Sequence, residues 1–284
     1  MRISKKKESI QEEIADNMGI LLKTHKQISD QIILRLIKEI IPSYFNSSNM
    51  FEVKMSLSIA DDLIEFIGQE MLGNDTWNFM YQIITKLATV NDASIRQAAS
   101  YGIGNFARFT VNNFDNYSKG LIEVLYNGMN IKDDTNDEAE KDEEYNEYGL
   151  AFDNMVSALG KIIFYRSGDS QVVQAGLNDL ITKWIMNLPI KYDDVEQEQQ
   201  HEWLVDMFMK NRGLIPDNCY EQYFSILVKI YNTKMSNEEI NKKIYNIFNE
   251  YVKKEDKLRQ IIDSLYNNPK TDDNIKNKLK KLIV

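Results

Sequence analysis

The sequence has one cysteine, Cys219, so no disulfide forms within the chain, and a reducing compartment, cytosol or nucleus, suits it. The three Asn-X-Ser/Thr sites, at Asn46, Asn74 and Asn116, are then chance occurrences. Its two histidines, His25 and His201, stand far apart with no ligand spacing around them, so no metal pattern is present and both are expected at helix surfaces. Four prolines and 12 glycines in 284 residues leave little to interrupt helices. No apolar run reaches the roughly 18 residues that a membrane helix needs. The basic start, Met1 to Lys7, lacks the apolar core and cleavage site of a secretory leader. No stretch alternates with a period of two, so no strands are expected. Serine and cysteine nucleophile motifs are missing. Gly102-Ile103-Gly104 has neither the spacing nor the preceding strand of a dinucleotide loop, nor the GK[ST] of a phosphate loop. An enzyme is therefore not expected, nor a cofactor or a metal ion.

What is present is helical periodicity. Ile95, Ala98, Ala99, Gly102, Ile103 and Phe106 fall on one helical stripe, and Asp92-Ala93-Ser94 before it supplies turn and N-cap chemistry. The stripe mixes Ala and Gly with large side chains, which predicts a helix packed closely on more than one side. The layout recurs. A shift of 42 residues sets Ile95-Arg96 on Val53-Lys54, whose helix carries its own stripe at 53, 57, 60, 64, 67 and 71. A forward shift sets Ser157-Ala158-Leu159-Gly160-Lys161-Ile162 on Tyr101 to Phe106, once an acidic insertion is discounted. A period of about 40–47 residues with two helices per unit is the pattern of HEAT and armadillo arrays.

In chain order, helices are expected over Ser9–Lys23 (burying Ile10, Ile14, Met18, Leu21 and Leu22), Ser29–Phe45 with Pro42 in its last turns, Val53–Met71, Trp77–Thr89, Ala93–Val111, Asn116–Met129, Tyr145–Tyr165, Gln171–Leu188 and Val195–Lys210. Further helices follow around Tyr220–Tyr231, after a capping-box opening at Ser236 to Glu239, over Glu255–Tyr266 and over Asp272–Ile283. The fold class is all-α, a HEAT-repeat α-solenoid of about six helix pairs in a single domain over 1–284. Its first helix starts with almost no preamble, and terminal repeats need a polar outer face. The chain is thus expected to be a piece of a longer protein.

Charge is concentrated. From Asp133 to Glu147 nine acids meet one base, Lys141, a local net of −8 in a chain whose net charge is −9. Two readings stand for the inter-helix segment 133–144: a solvated loop, or an electrostatic lure for a basic partner. Lys253, Lys254, Lys257 and Arg259, then Lys276, Lys278, Lys280 and Lys281, make the C-terminus basic, but interleaved acids argue for helix-end charge and against nucleic acid.

Ile95-Arg96-Gln97-Ala98-Ala99-Ser100-Tyr101-Gly102-Ile103-Gly104 resembles the segment VRQAAxYGLG found near the C-terminus of nuclear import receptors of the importin-beta (karyopherin-beta) family. Ile59 to Glu65, Asn154 to Ile162 and Trp184 to Ile190 resemble further segments in the same order, so the likeness spans about Val53 to Pro189. It departs at Val90, where the family often carries an Asp six residues before the repeat arginine. The resemblance implies a C-terminal portion of a receptor that shuttles between cytoplasm and nucleus as a monomer. Such a receptor holds basic cargo proteins (nuclear localisation signals, ribosomal-protein-like or histone-like), touches nucleoporins, and answers to Ran-GTP through N-terminal repeats not in this sequence. The alternative is a HEAT-repeat interaction scaffold unrelated to transport.

On the receptor reading the cargo contacts would come from Asp61, Asp62 and Glu65 on one helix, Asn105 on the central helix, Asp153 and Asn154, Trp203 beside Glu202 and Asp206, and Asp133, Asp134, Glu143 and Glu144 in the acidic segment. Carboxylates pair with Lys and Arg, and an asparagine amide bonds an extended backbone through both donor and acceptor. For each residue the competing reading is a solvated face or an internal partner of Arg96 or Arg108.

Overall fold

A computed structural model describes residues 2–24, 30–71, 73–110, 114–131 and 146–283. The fold is an all-α helical-repeat array with thirteen helices and no strand among the described residues. It divides into two compact units, Met1–Val172 and Val173–Val284.

The first unit is built from α1 (Arg2–Thr24), α2, α3 (Met50–Met71), α4 (Asn74–Leu87), α5 (Ala93–Phe109), α6 (Asp115–Gly128) and α7 (Glu147–Arg166). Helix α2 runs Asp30–Arg35, passes through a π-helical stretch Leu36–Ile40, and continues as Ile41–Phe45. Pro42 explains the wide turn: its ring clashes with the carbonyl four residues back, and the π stretch makes room without ending the helix. One layer is α1 on α3, α3 on α5 and α5 on α7; the even-numbered helices cover it from the other side, with α4 against α6. Shifts in sequence thus become steps in space, since α3, α5 and α7 are the helices that the internal repeat aligns.

Helix α5 starts where Asp92 accepts from the Ile95 N–H at 3.0 Å. It is buried on two flanks. A Cβ at Gly102 would collide with the Asp61 carboxyl from α3, and one at Gly104 would lie 2.6 Å from the Lys161 side chain of α7. Small residues are needed here because each neighbour sends a polar side chain into the notch. Phe106 stands at the centre of an edge-to-face cluster with Trp77 at 4.9 Å and Tyr117 at 5.0 Å. The far end of α5 is closed from α7: Arg166, itself buried, donates Nε–H to the Ala107 carbonyl at 2.5 Å and a second N–H to the Thr110 carbonyl. A guanidinium here satisfies carbonyls that the helix end leaves open.

One expectation about the core is corrected in this unit. Ile10, Ile14 and Leu21 are not core residues: they are 49%, 60% and 45% exposed. Helix α1 meets α3 through the face carrying Gly19 and Leu22, which leaves its broader apolar stripe uncovered by the described residues. Val90 offers no acidic side chain, and Arg96 takes its backbone carbonyl, Nη1 to O at 2.8 Å, and lies over the Tyr148 ring.

The second unit comprises α8 (Gln171–Asn187, entering from the boundary), α9 (Asp194–Asn211), α10 (Tyr220–Ile230), α11 (Glu238–Asn246, continuing as a π-helical stretch Ile247–Val252), α12 (Asp256–Asn267) and α13 (Asp273–Ile283). Helix α10 is its core, with Tyr223, Phe224, Leu227 and Val228 buried, and it packs on α12 and α13. Asn237, not Ser236, caps α11: its Oδ1 accepts from the Ile240 N–H at 2.9 Å. The Ser236 hydroxyl is drawn back onto the Ile230 carbonyl at 2.7 Å.

His201 is also corrected. It is not on a helix surface but fully buried in α9. Its Nε2 accepts from the Ile190 N–H at 3.2 Å, which makes Nδ1 the protonated nitrogen that donates to the Met235 carbonyl at 2.9 Å. Gln197 Nε2 holds the Ile190 carbonyl at 3.0 Å, and Gln200 accepts from the Trp184 indole N–H at 2.8 Å. His201 and Gln197 thus fasten two loops to α9, and Gln200 ties it to α8. His25 lies outside the described residues.

Candidate functional site

The candidate site is the polar seam where α3, α5 and α7 meet. Glu65 on α3 accepts from the Tyr101 hydroxyl at 3.0 Å and from Asn105 Nδ2 at 3.4 Å, both on α5. From the other side Lys161 on α7 brings its ammonium 5.1 Å from the Tyr101 ring centre, a cation–π contact. Asp61 lies one turn back along α3, 5% exposed, and its Oδ1 has no hydrogen-bond partner. Burial, then the negative charges of Asp62 and Glu65, push its pKa well above the usual carboxylate range, against the pull of Lys161. The same causes act on Asp62, half-buried beside Gly19 of α1: burial, Glu65 and Asp16 together push it up to about 6. Burial and the Glu65 carboxylate raise Tyr101, so its phenol stays protonated as a donor.

The residues expected to touch a cargo therefore separate. Asp61, Asn105, Asp153 and Asn154 are all buried, at 5%, 3%, 4% and 2% exposure. Asn154 turns its amide onto its own helix, Nδ2 to the Leu150 carbonyl at 3.0 Å. These four sit inside the wall between helices. Asp62 and Glu65 remain at its accessible edge, next to exposed Asp16. Trp203 is half-exposed in the second unit, where its acidic neighbours are engaged: Lys243 pairs with Glu202 at 3.2 Å and Asp206 at 3.0 Å. Asp133, Asp134, Glu143 and Glu144 lie outside the described residues.

Tyr101 and Lys161 complete the seam without having been singled out as functional residues in the sequence. For Lys161 the signal was Gly104 on the facing helix, which makes sense only once the helices are paired. Chemically the seam holds carboxylates, an amide, a phenol and an ammonium, but no nucleophile set against a base. Among the described residues no group of three His, Cys, Asp or Glu side chains could hold a metal ion. No helix among them is long and apolar enough to cross a membrane. What the edge offers is negative charge without a cationic partner: Asp62 and Glu65 form no ion pair among the described residues, and each raises the cost of charging its neighbours.

No family profile matches the chain. A crystal structure of an engineered protein is similar over 95% of this chain and 67% of its own, with 14% sequence identity and a TM-score of 0.41, values at which no function carries across.

Proposed function

We propose that the chain is a non-catalytic helical-repeat binding protein, the C-terminal portion of a nuclear import receptor of the importin-beta kind, which holds basic cargo through its acidic edge. The helical-repeat fold and the collinear sequence resemblance over Val53 to Pro189 support this reading. The observation that carries it is the uncompensated carboxylate pair Asp62 and Glu65. A lysine or arginine placed there gains an ion pair, and its charge offsets the burial and the repulsion from Glu65 and Asp16 that raise the Asp62 pKa to about 6. The acidic run from Asp133, which joins α6 to α7 in sequence, adds long-range attraction that speeds encounter and fades with salt.

The test is an anisotropy titration of a fluorescent basic localisation peptide into the protein at low and physiological salt. It is repeated with a D62N/E65Q variant and with a variant lacking residues 133–144. Saturable binding is expected. The double substitution weakens it at both salts, and loss of the acidic run weakens it mainly at low salt. Affinity rises from pH 5 to pH 7 as Asp62 ionises. Equal affinity for wild type and D62N/E65Q, with both folded, would overturn the reading.

A further inference from the structure

The second unit holds a cleft of about 420 Å³ between α10, the end of α8, and the corner joining α12 to α13. Helix α10 is otherwise core, so the polar edge that it turns to the cleft stands out. Gln222, Ser225 and Lys229 follow one another at helical spacing along that edge, opposite Asn268 and Thr271 of the corner. Met186, Leu265 and Ile275 supply apolar wall, and Met186 is 55% exposed.

The cleft's two acids accept hydrogen bonds, and the ammonium groups of its two lysines donate none among the described residues. Glu221 accepts from Asn268 Nδ2 at 3.3 Å, and Asp272 accepts from the Asn274 N–H at 2.7 Å at the start of α13. The nearby Lys278 ammonium is used on the last carbonyls of α10, those of Lys229 and Tyr231, at 3.1 and 2.8 Å. The half-buried Lys229 ammonium makes no hydrogen bond or ion pair among the described residues, and Lys270 stands at the mouth in the same condition. Burial and the like charge of Lys191 push the Lys229 pKa down, and only Asp272 opposes them. A half-buried cation with a cationic neighbour is stabilised by an anion brought from outside. Amides and hydroxyls along the floor match both the donors and the acceptors of an extended backbone, and the apolar wall suits aliphatic side chains.

We propose that this cleft binds an extended acidic peptide, with a side-chain carboxylate seated on Lys229 and the peptide backbone bonded by Gln222 and Ser225. The partner is opposite in charge to the basic cargo proposed for the seam and meets a different unit of the chain, so either proposal stands or falls without the other.

The probe is a fluorescein-labelled, C-terminally amidated octapeptide alternating Leu with Asp and Glu, compared with its Asn and Gln counterpart. Saturable anisotropy is expected for the acidic peptide, at least tenfold weaker for the neutral one. A K229M variant loses tenfold or more, whereas K229R retains binding; circular dichroism confirms that both are folded. Amide resonances of Ser225, Lys229 and Thr271 in the 15N spectrum shift on addition of the acidic peptide and return in competition with unlabelled probe. Failure of the acidic peptide to bind the folded wild type at millimolar concentration overturns the proposal. So does K229M binding as tightly as wild type, or resonance shifts confined to other helices.

Discussion

His201 gives the sharpest quantitative expectation. Its ring is buried, Nε2 accepts from one loop and Nδ1–H donates to another, and burial lowers its pKa from 6.5 to about 4 despite the Met235 hydrogen bond. A second proton on the ring would have to sit on Nε2, facing the Ile190 N–H, donor against donor. The unfolded chain binds that proton at its ordinary pKa and the folded chain does not. Stability is therefore complete above about pH 6.5 and falls as pH drops, by about 1.4 kcal/mol per pH unit until about pH 4. The loss is about 2 kcal/mol by pH 5 and about 3 kcal/mol by pH 4, a large share of a domain's usual 5–15 kcal/mol. The assay is urea unfolding followed by tryptophan fluorescence in a Trp77→Phe background, which leaves Trp184 and Trp203 as reporters in the second unit. Curves from pH 7.5 to 4.5 are compared with those of His201→Gln. The variant is less stable at pH 7.5 because a buried carbonyl or N–H loses its partner. It does not titrate, however, so the gap between the two proteins narrows as pH falls, and the carboxylates common to both cancel. A gap that stays constant across that window would refute the buried neutral imidazole. Nitrogen chemical shifts give an independent check: the Nδ1-protonated tautomer should persist below pH 5.5.

Gly102→Ala should cost about 1–3 kcal/mol, because the new methyl overlaps the Asp61 carboxyl in a packed layer. In the double variant with Asp61→Ala most of that cost should return; additive losses in a thermal-unfolding double-mutant cycle would contradict the notch. Asp61→Asn should leave the protein at least as stable at pH 7, since its raised pKa gives a contribution present below about pH 3.8 and lost as pH rises toward the folded value. Chemical denaturation at pH 4 and pH 7 reads this, and a variant destabilised mainly at pH 7 would reverse the sign. Arg166→Met should cost about 2–4 kcal/mol by stranding the Ala107 and Thr110 carbonyls. Hydrogen exchange should then show early opening of the last turn of α5, whereas unchanged protection there would mean another group closes that helix.

The repeat was legible because apolar spacing survives the 42-residue shift: Leu57 and Ala99, then Ile64 and Phe106, occupy matching buried positions in α3 and α5. Small residues at 102 and 104 correctly announced close packing on two sides. Their partners were not legible, because Asp61 and Lys161 sit on other helices and read as ordinary polar positions beside a stripe. An amphipathic reading assigns each helix one wet face, and α5 and α7 have almost none. That is why Asn105, Asp153 and Asn154 were expected outside and lie within. The converse error at Ile10 and Ile14 has the same root, since periodicity marks a face fit for burial without saying whether a neighbour arrives. His201 was misplaced for another reason: the groups it satisfies, the Ile190 N–H and the Met235 carbonyl, are loop backbone, and nothing in residue type reveals a loop's orphaned donors and acceptors.

The two-sided notches of α5 have a consequence for how the first unit comes apart. In a repeat array each helix pair is held chiefly by its nearest neighbours, and unfolding proceeds as a zipper from an open end. A zipper of identical interfaces would fray gradually. Here α5 carries two tight interfaces, and each is keyed by a buried polar side chain that is costly to leave half-withdrawn from its slot. Fraying that begins at α1 should therefore halt at α3, and α3, α5 and α7 should release together as one cooperative block. A stretching force applied across the unit would meet that block as a single late rupture after the softer α1 had peeled away.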